Sequence, residues 1–491
     1  FIGPGSNFSH QLKHDFPYGY SASDAFQHQT RAEAIKDAGN FRHEASYISF
    51  GLEGLIGRYP PLLYHLAVIF SYASGLEVYD SIYFIVLFFS VIGAAIMYFI
   101  IRNFNKNVAL ISLPLTIIAF TLPPSIGFIY GHWPSLLGQF FLIVFAWWIM
   151  NSELENTYIP LSVILTSIIL SHTSETVFAF IFLLIFFIIK SINRNIKKTE
   201  IKNIVIGILI SFLLSVYYII IFLNTWAKSE SYSFAVEPIW QGNPGFYILG
   251  FGALLMFIAT GILFSIIKLK ESRAVVIFAL AMLLSGFLNY IGFGLRSFQI
   301  RFLWPIYLSV FFGFGMYILS KFIIKKWNAL YSVALALVFT ILVLGLIKVP
   351  FIPQYQKIGS DGGLMTEQHW EAFQWLSRNS DKNSKVYLFY GDRYSQDAML
   401  RNSKRVHYQV DPQDFVNSIN ERKIKRSYLS ELPGDSGGGI FTRTSLFQFE
   451  DATEKVSAEY FYGQQDICGF GYLVFDKVSG QQVLAQHNML I

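Results

Sequence analysis

Apolar residues in this chain come in long unbroken runs separated by short polar connectors. The runs are about twenty residues each, the length that carries an α-helix across a hydrocarbon core of about 30 Å. Ten can be read, at about 79–101, 107–123, 134–150, 158–172, 174–191, 203–224, 245–267, 274–292, 302–320 and 328–349. The pattern predicts a polytopic α-helical membrane protein. One further apolar stretch, "YPPLLYHLAVIFSYASGL" (59–76), is expected to lie in the membrane interface. Pro60 and Pro61 start it, and its His65 and tyrosines suit that depth.

Charge orients the bundle. Only 14% of residues are charged, against about 25% in soluble domains. The positive ones gather in four connectors: Arg102 with Lys106, the run "KSINRNIKKTEIK" (190–202), Lys268 to Arg273, and Lys321 to Lys326. If every span crosses once, all four fall on one side, which the excess of Lys and Arg makes cytoplasmic. Residues 1–78, the loop 124–133, the junction near His172, the loops 225–244 and 292–301, and everything after 350 then lie outside. With Phe1 outside, a crossing helix upstream of the numbering is expected, for eleven spans in all. These connectors also account for the net charge of +5, which gives no case for nucleic acid. The one cysteine, Cys468, excludes an intrachain disulfide, and "NFS" at Asn7 is a glycosylation sequon on the outer side.

Three regions follow: an extracytoplasmic loop with juxtamembrane helices (1–78), a transmembrane domain (79–349) and an extracytoplasmic α/β domain (350–491). In the last, "TEQHWEAFQWLSRNS" reads as a helix with Thr366 as N-cap, and "KVYLFYGD" (385–392) as a buried strand. Further strands are expected at 439–449 and 470–476. The "GDSGGG" around Ser436 looks like a protease nucleophile motif. It lacks both a histidine partner and the strand–turn–helix context, so it reads as a flexible loop.

The polar residues on the outer side carry the chemistry. "SASDAFQHQTRAEAI" (21–35) starts a helix at Ser21 and sets Asp24, His28 and Arg31 along one helical face. "GHWPSLLGQ" puts His132 at the start of a span, and "LSHTSET" puts His172 and Glu175 between two spans. "LRSFQIRFLWP" sets Arg296 and Arg301 at the outer mouth of a late span. Ionisable groups at span edges are costly to keep and mark functional sites. Each has an ordinary reading too. Asp24 can cap its helix and His28 can be a surface histidine. Arg31 can pair with Asp24 or a lipid headgroup, Arg296 and Arg301 can anchor a helix, and Glu175 can answer a helix dipole.

The chain resembles the C-type (GT-C) glycosyltransferases, membrane enzymes that use sugars carried on a lipid phosphate. Four elements, taken in order across residues 20–350, carry the resemblance. They are the acid-bearing outer helix with Asp24 and "RAEAIKDAG", the proline-pair helix "RYPPLLYHLAVIFSYASGL", the segment "IIRNFNKNVALISLPLTIIAFTLPP", and "LRSFQIRFLWPIYLSVFFGFG". The resemblance implies transfer of one sugar from a polyprenyl-phosphate carrier to a glycan, lipid or protein acceptor at the outer face, by an inverting displacement. Asp24 would serve as base or orienting acid with His28 as helper. Arg296, Arg301 and Arg31 would hold phosphate, and His132, His172, Glu175 and His65 would line the pocket. The Trp-Trp-Asp motif of oligosaccharyltransferases and the paired Asp-x-Asp of other branches are absent, which argues against whole-oligosaccharide transfer to asparagine. No cofactor is assigned. The family includes metal-dependent members, but His172-x-x-Glu175 is a weak metal signal and no metal site is named. Two other readings are a catalytically silent scaffold in a surface complex with partner subunits, and a transporter or flippase. The second would need internal repeats and broken helices at mid-membrane, and neither is evident.

Overall fold

The computed structural model describes residues 13–20, 23–40, 59–121, 131–151, 158–192, 197–225, 254–267, 276–281, 304–342, 363–389, 393–407, 423–425, 464–466 and 471–475. Helix α1 spans Ser23–Ala38 and α2 spans Leu62–Ser74; α3 (Val78–Phe104) and α4 (Lys106–Thr121) follow. The bundle continues with α5 (Trp133–Asn151), α6 (Tyr158–Ile169), α7 (Thr173–Ile192), α8 (Lys198–Leu214), α9 (Val216–Thr225), α10 (Leu254–Ile267), α11 (Trp304–Ile323) and α12 (Ala329–Ile341).

Helix α3 shows why these segments pack as they do. Ile82, Ile85, Val86, Met97, Ile100 and Ile101 are buried at helical spacing, while Phe88, Val91 and Phe99 stand exposed on the other side. A helix apolar all round suits hydrocarbon rather than water. The same outward apolar surface recurs at Leu184 and Ile188 of α7, Leu209 and Leu213 of α8, Leu263 and Ile267 of α10, and Leu337 and Val338 of α12. Among the described residues, Val78–Phe104 and Trp133–Met150 are long and apolar enough to cross a bilayer unaided, and shorter apolar helices occupy other expected spans.

The turn "RNFNKN" after α3 closes because Asn105 caps α4: its Oδ1 accepts from the amides of Asn107 (2.8 Å) and Val108 (3.2 Å). The connector between α11 and α12 sits beside it, since Ser332 Oγ donates to Asn107 Oδ1 and Trp327 Nε1 donates to Ser332 Oγ. Two of the four basic connectors therefore meet at one end. Helix α2 starts after Pro61 and stops at Gly75 in the left-handed region. It buries Leu63, Tyr64, Ala67 and Val68 while exposing Ile69 and Tyr72.

The expected span 203–224 is two helices, broken at Ser215. Ser211 Oγ bonds back to Ile208 O at 2.7 Å just before the break, a contact that bends helices. Of the expected span 274–292 only 276–281, helical, is described. Glycine brings α10 onto α11: a Cβ at Gly261 would meet Phe311 O at 1.8 Å, and one at Gly315 would meet Phe257 O at 1.9 Å. Such small-residue seams pack helices where water cannot drive association.

Past the bundle, Thr366 caps α13 (Glu367–Asn379) through the His369 amide, as expected. Strand β1 (Lys385–Phe389), helix α14 (Arg393–Leu400), the 3₁₀ turn Arg401–Ser403 and β2 (Val406–His407) follow, and β5 (Tyr472–Phe475) pairs on β1's other edge. Both pairings are parallel, with Lys385 opposite Val406 and Val386 opposite Tyr472. Strands β3 (Lys423–Lys425) and β4 (Gln464–Asp466) form a separate antiparallel pair. The expected strand 439–449 and Ser436 lie outside the described residues. So do Asn7 and Cys468.

Candidate functional site

Helix α1 is polar in composition yet largely buried: Ala25, Phe26, His28, Gln29, Thr30 and Ala32 are all enclosed. A buried polar helix must pair its side chains, and α1 does so in two directions. Toward the bundle, His28 Nδ1 lies 2.8 Å from Tyr64 Oη on α2. Toward the C-terminal layer, Gln29 Nε2 donates to Asn402 Oδ1 at 2.8 Å, and Lys404 Nζ reaches Asp37 Oδ2 at 2.7 Å. Two contacts tie down the flanking chain: Leu364 N donates to Tyr20 O at 2.7 Å, and Tyr20 Oη donates to Tyr79 O at 2.7 Å. The helix is wedged between the two layers.

Asp24, in the first turn, stays open. Its side chain is 45% exposed and its Oδ2 lies 3.5 Å from His132 Nε2 at the head of α5. The approach of α1 to α5 depends on Gly131. That residue has φ +79°, and a Cβ there would stand 2.2 Å from the Ala25 amide nitrogen. Only glycine fits both the backbone angle and the gap.

Beside this pair stands an aromatic and basic cluster centred on Tyr59. The Arg31 guanidinium carbon lies 5.4 Å from the Tyr59 ring centre, His28 packs on that ring at 5.1 Å, and His172 lies 6.4 Å away. Burial pushes the His28 imidazole well below its usual range, and the nearby charges of Arg31, His172 and Arg401 push the same way. Both effects favour the neutral ring. His65, next to Tyr64 on α2, is half-buried and also shifted down by burial.

Under the cluster lies a second acid–imidazole pair. His172 Nδ1 is 2.5 Å from Glu175 Oε2, in the first turn of α7, while Ser135 Oγ and Gln139 Nε2 each donate to Glu175 Oε1 at 2.8 Å. The Tyr307 hydroxyl donates to Gln139 Oε1. Helices α5, α7 and α11 all contribute to fixing one buried carboxylate, which sits where a helix N-terminus favours negative charge. The backbone closes the same corner: Leu62 N donates to Leu170 O at 2.9 Å.

Asp24, His132, His28, Arg31, His172 and Glu175 thus meet at one end of the bundle, opposite the Asn105 turn. Arg296 and Arg301 lie outside the described residues. The network also uses Tyr59, Tyr64, Ser135, Gln139, Tyr307 and Gly131. The sequence presents Tyr59 and Tyr64 as interface tyrosines. Ser135 and Gln139, four apart in an otherwise apolar span, were the signal available for the rest. Among the described residues no three His, Cys, Asp or Glu side chains group to hold a metal ion.

No family model matches this chain, and no curated protein matches it. Solved structures do. The Archaeoglobus fulgidus oligosaccharyltransferase in complex with Zn and sulfate superimposes with a TM-score of 0.52 at 15% identity, covering 80% of this chain and 59% of the other. The archaeal oligosaccharyltransferase AglB of the same organism, in complex with an inhibitory peptide and a dolichol-phosphate, gives 0.50 at 14%, covering 80% and 61%. The apo form gives 0.51 at 13%, covering 91% and 68%. The chain thus spans about three fifths of the length of the first two solved chains. The fold is similar to that of the GT-C glycosyltransferases, as the sequence resemblance implies.

Proposed function

We propose that this membrane protein transfers a sugar from a polyprenyl-phosphate carrier to an acceptor at the outer membrane face, with Asp24 as the acid that receives the acceptor's proton. The observation that carries the reading is the contrast within the site. A half-open carboxylate, steadied by His132, stands at the rim of a buried cluster of tyrosines, imidazoles and a guanidinium, on a GT-C-like fold. The archaeal oligosaccharyltransferase of similar fold was solved with a dolichol-phosphate; the carrier class is taken over from it.

The chemistry is a single displacement. The acceptor hydroxyl oxygen forms a bond to the anomeric carbon as its proton passes to Asp24. The bond from that carbon to the phosphate oxygen breaks, and the lipid phosphate leaves with the electron pair. A carboxylate placed this way contributes about 10²–10⁴ in rate. Arg31, already beside Tyr59, supplies positive charge for the departing phosphate, and Arg296 and Arg301 are assigned to the same task. His132 orients Asp24. His172, its Nδ1–H directed at Glu175, is a positioning residue with a fixed tautomer. One solved structure of similar fold holds zinc; among the described residues Asp24 and His132 bring two donors together, and zinc takes three or four.

The test is a reconstituted assay in liposomes with radiolabelled dolichyl- and undecaprenyl-phosphate sugars, scored for transfer and for released lipid phosphate. Asp24→Asn should abolish both while leaving the fold intact. Full activity in that variant overturns the proposal.

A further inference from the structure

A second cleft opens between α13 and the loop that precedes α1. It encloses about 390 Å³ and is lined by Asp15 of the loop and by Trp370, Glu371, Gln374, Trp375 and Arg378 among the residues of α13. That volume is within the range of small-ligand pockets, about 300–1,000 Å³. The α13 residues share one helical face, while Phe373 and Leu376 on the other face are buried in the core. Helix α13 is therefore built with two working sides.

The open side holds an uncommon pair. Trp375, 54% exposed, is the one exposed tryptophan among the described residues. Each indole has an aromatic neighbour: Trp370 meets Tyr79 edge-on at 5.6 Å, and Trp375 meets Tyr472 edge-on at 6.2 Å. Rigid aromatic rings present contact area at small entropic cost. Around them stand carboxylates, an amide and a guanidinium, groups that together accept and donate hydrogen bonds in several directions.

Flat apolar plates ringed by such groups match a sugar ring, whose C–H face is apolar and whose hydroxyls both donate and accept. Carboxylates outnumber the single guanidinium, so a phosphate or other anion is disfavoured, and the donor's lipid phosphate is not the occupant. We propose that this cleft binds an uncharged saccharide, docking the sugar portion of the acceptor. The acceptor role rests on the transferase reading above; the binding does not. Asp15 and Asp24 are nine residues apart, so the cleft's loop edge is at most about 30 Å along the chain from the reactive carboxylate.

The experiment is saturation-transfer NMR on the full chain in lipid nanodiscs, with chitotriose, cellotriose and mannotriose as probes and sialyllactose as the anionic control. At least one neutral trisaccharide should bind in the millimolar range and sialyllactose should not. Trp375→Ala should weaken binding tenfold or more, and Gln374→Ala should weaken it less; a melting curve for each checks the fold. Asp24→Asn should bind as the wild type does. No signal from any neutral probe, or one unchanged in both cleft variants, overturns the proposal. If binding depends on Trp375 while transfer is indifferent to Asp24, the cleft stands and the transferase reading falls.

Discussion

Among the acid–histidine pairs at this end of the bundle, two are built in opposite ways. Asp24 and His132 come from different helices, meet at 3.5 Å and leave the carboxylate 45% exposed. Glu175 and His172 belong to one turn, meet at 2.5 Å and sit under protein, with Glu175 only 1% exposed. Glu175 already accepts from Ser135, Gln139 and His172, so its lone pairs are committed. Asp24 is far more exposed, which suits the proton-accepting role proposed for it. The same two side-chain types are thus open in one place and enclosed in the other, and the proposed function makes the first a reagent and the second a brace.

Substitutions can break that contrast. The largest effect is expected from Asp24→Asn: about a thousandfold loss of transfer, with stability changed by less than about 1 kcal/mol because the site is open. Glu175→Leu should do the reverse, lowering the unfolding free energy by about 3–5 kcal/mol as three donors lose their acceptor, read as an early thermal melt. If Glu175→Leu melts like the wild type, the brace assignment fails. Gly131→Ala should cost about 1–3 kcal/mol from overpacking and separate Asp24 from His132, so that transfer falls even in the fraction that stays folded.

The smallest effect concerns His28 and pH. Its imidazole is depressed in the folded protein, so below the unfolded value of about 6.5 the unfolded chain binds the proton that the folded one refuses. Stability attributable to His28 is then present above that pH and lost on acidification, at about 1.4 kcal/mol per pH unit at full slope. Glu33 on the same helix is shifted upward by burial and contributes an opposite slope above its own ordinary range. The informative measurement is therefore the difference between wild type and His28→Asn from pH 7 to 5. Equal slopes would rule His28 out as the source.

How much of this was legible in the sequence varies with the physics involved. The spacing of Asp24, His28 and Arg31 revealed a helix and a common face, because spacing is local. It could not reveal that His28 is enclosed while Asp24 is 45% exposed, since the apolar residues of α1 mark out no single face and its burial is imposed by α2, α5 and the C-terminal layer. Apolar periodicity runs unbroken through Ser215, so the division of α8 from α9 was invisible. Tyr307 meets Gln139 across 168 positions, and nothing near either residue announces the other. Thr366, by contrast, was readable as a cap because capping needs only the next three residues.

The wedge of α1 has a consequence for how the protein is made. Gln29 and its partner Asn402 are separated by 373 positions, and Asp37 waits almost as long for Lys404. Helix α1 therefore leaves the ribosome long before the contacts that lock its far side can form. Contacts of such long range are slow to form. A nascent or truncated chain that lacks residues 402–404 would hold Asp24 on a helix secured along one side only, so the setting of that carboxylate is completed from a distance in sequence rather than locally.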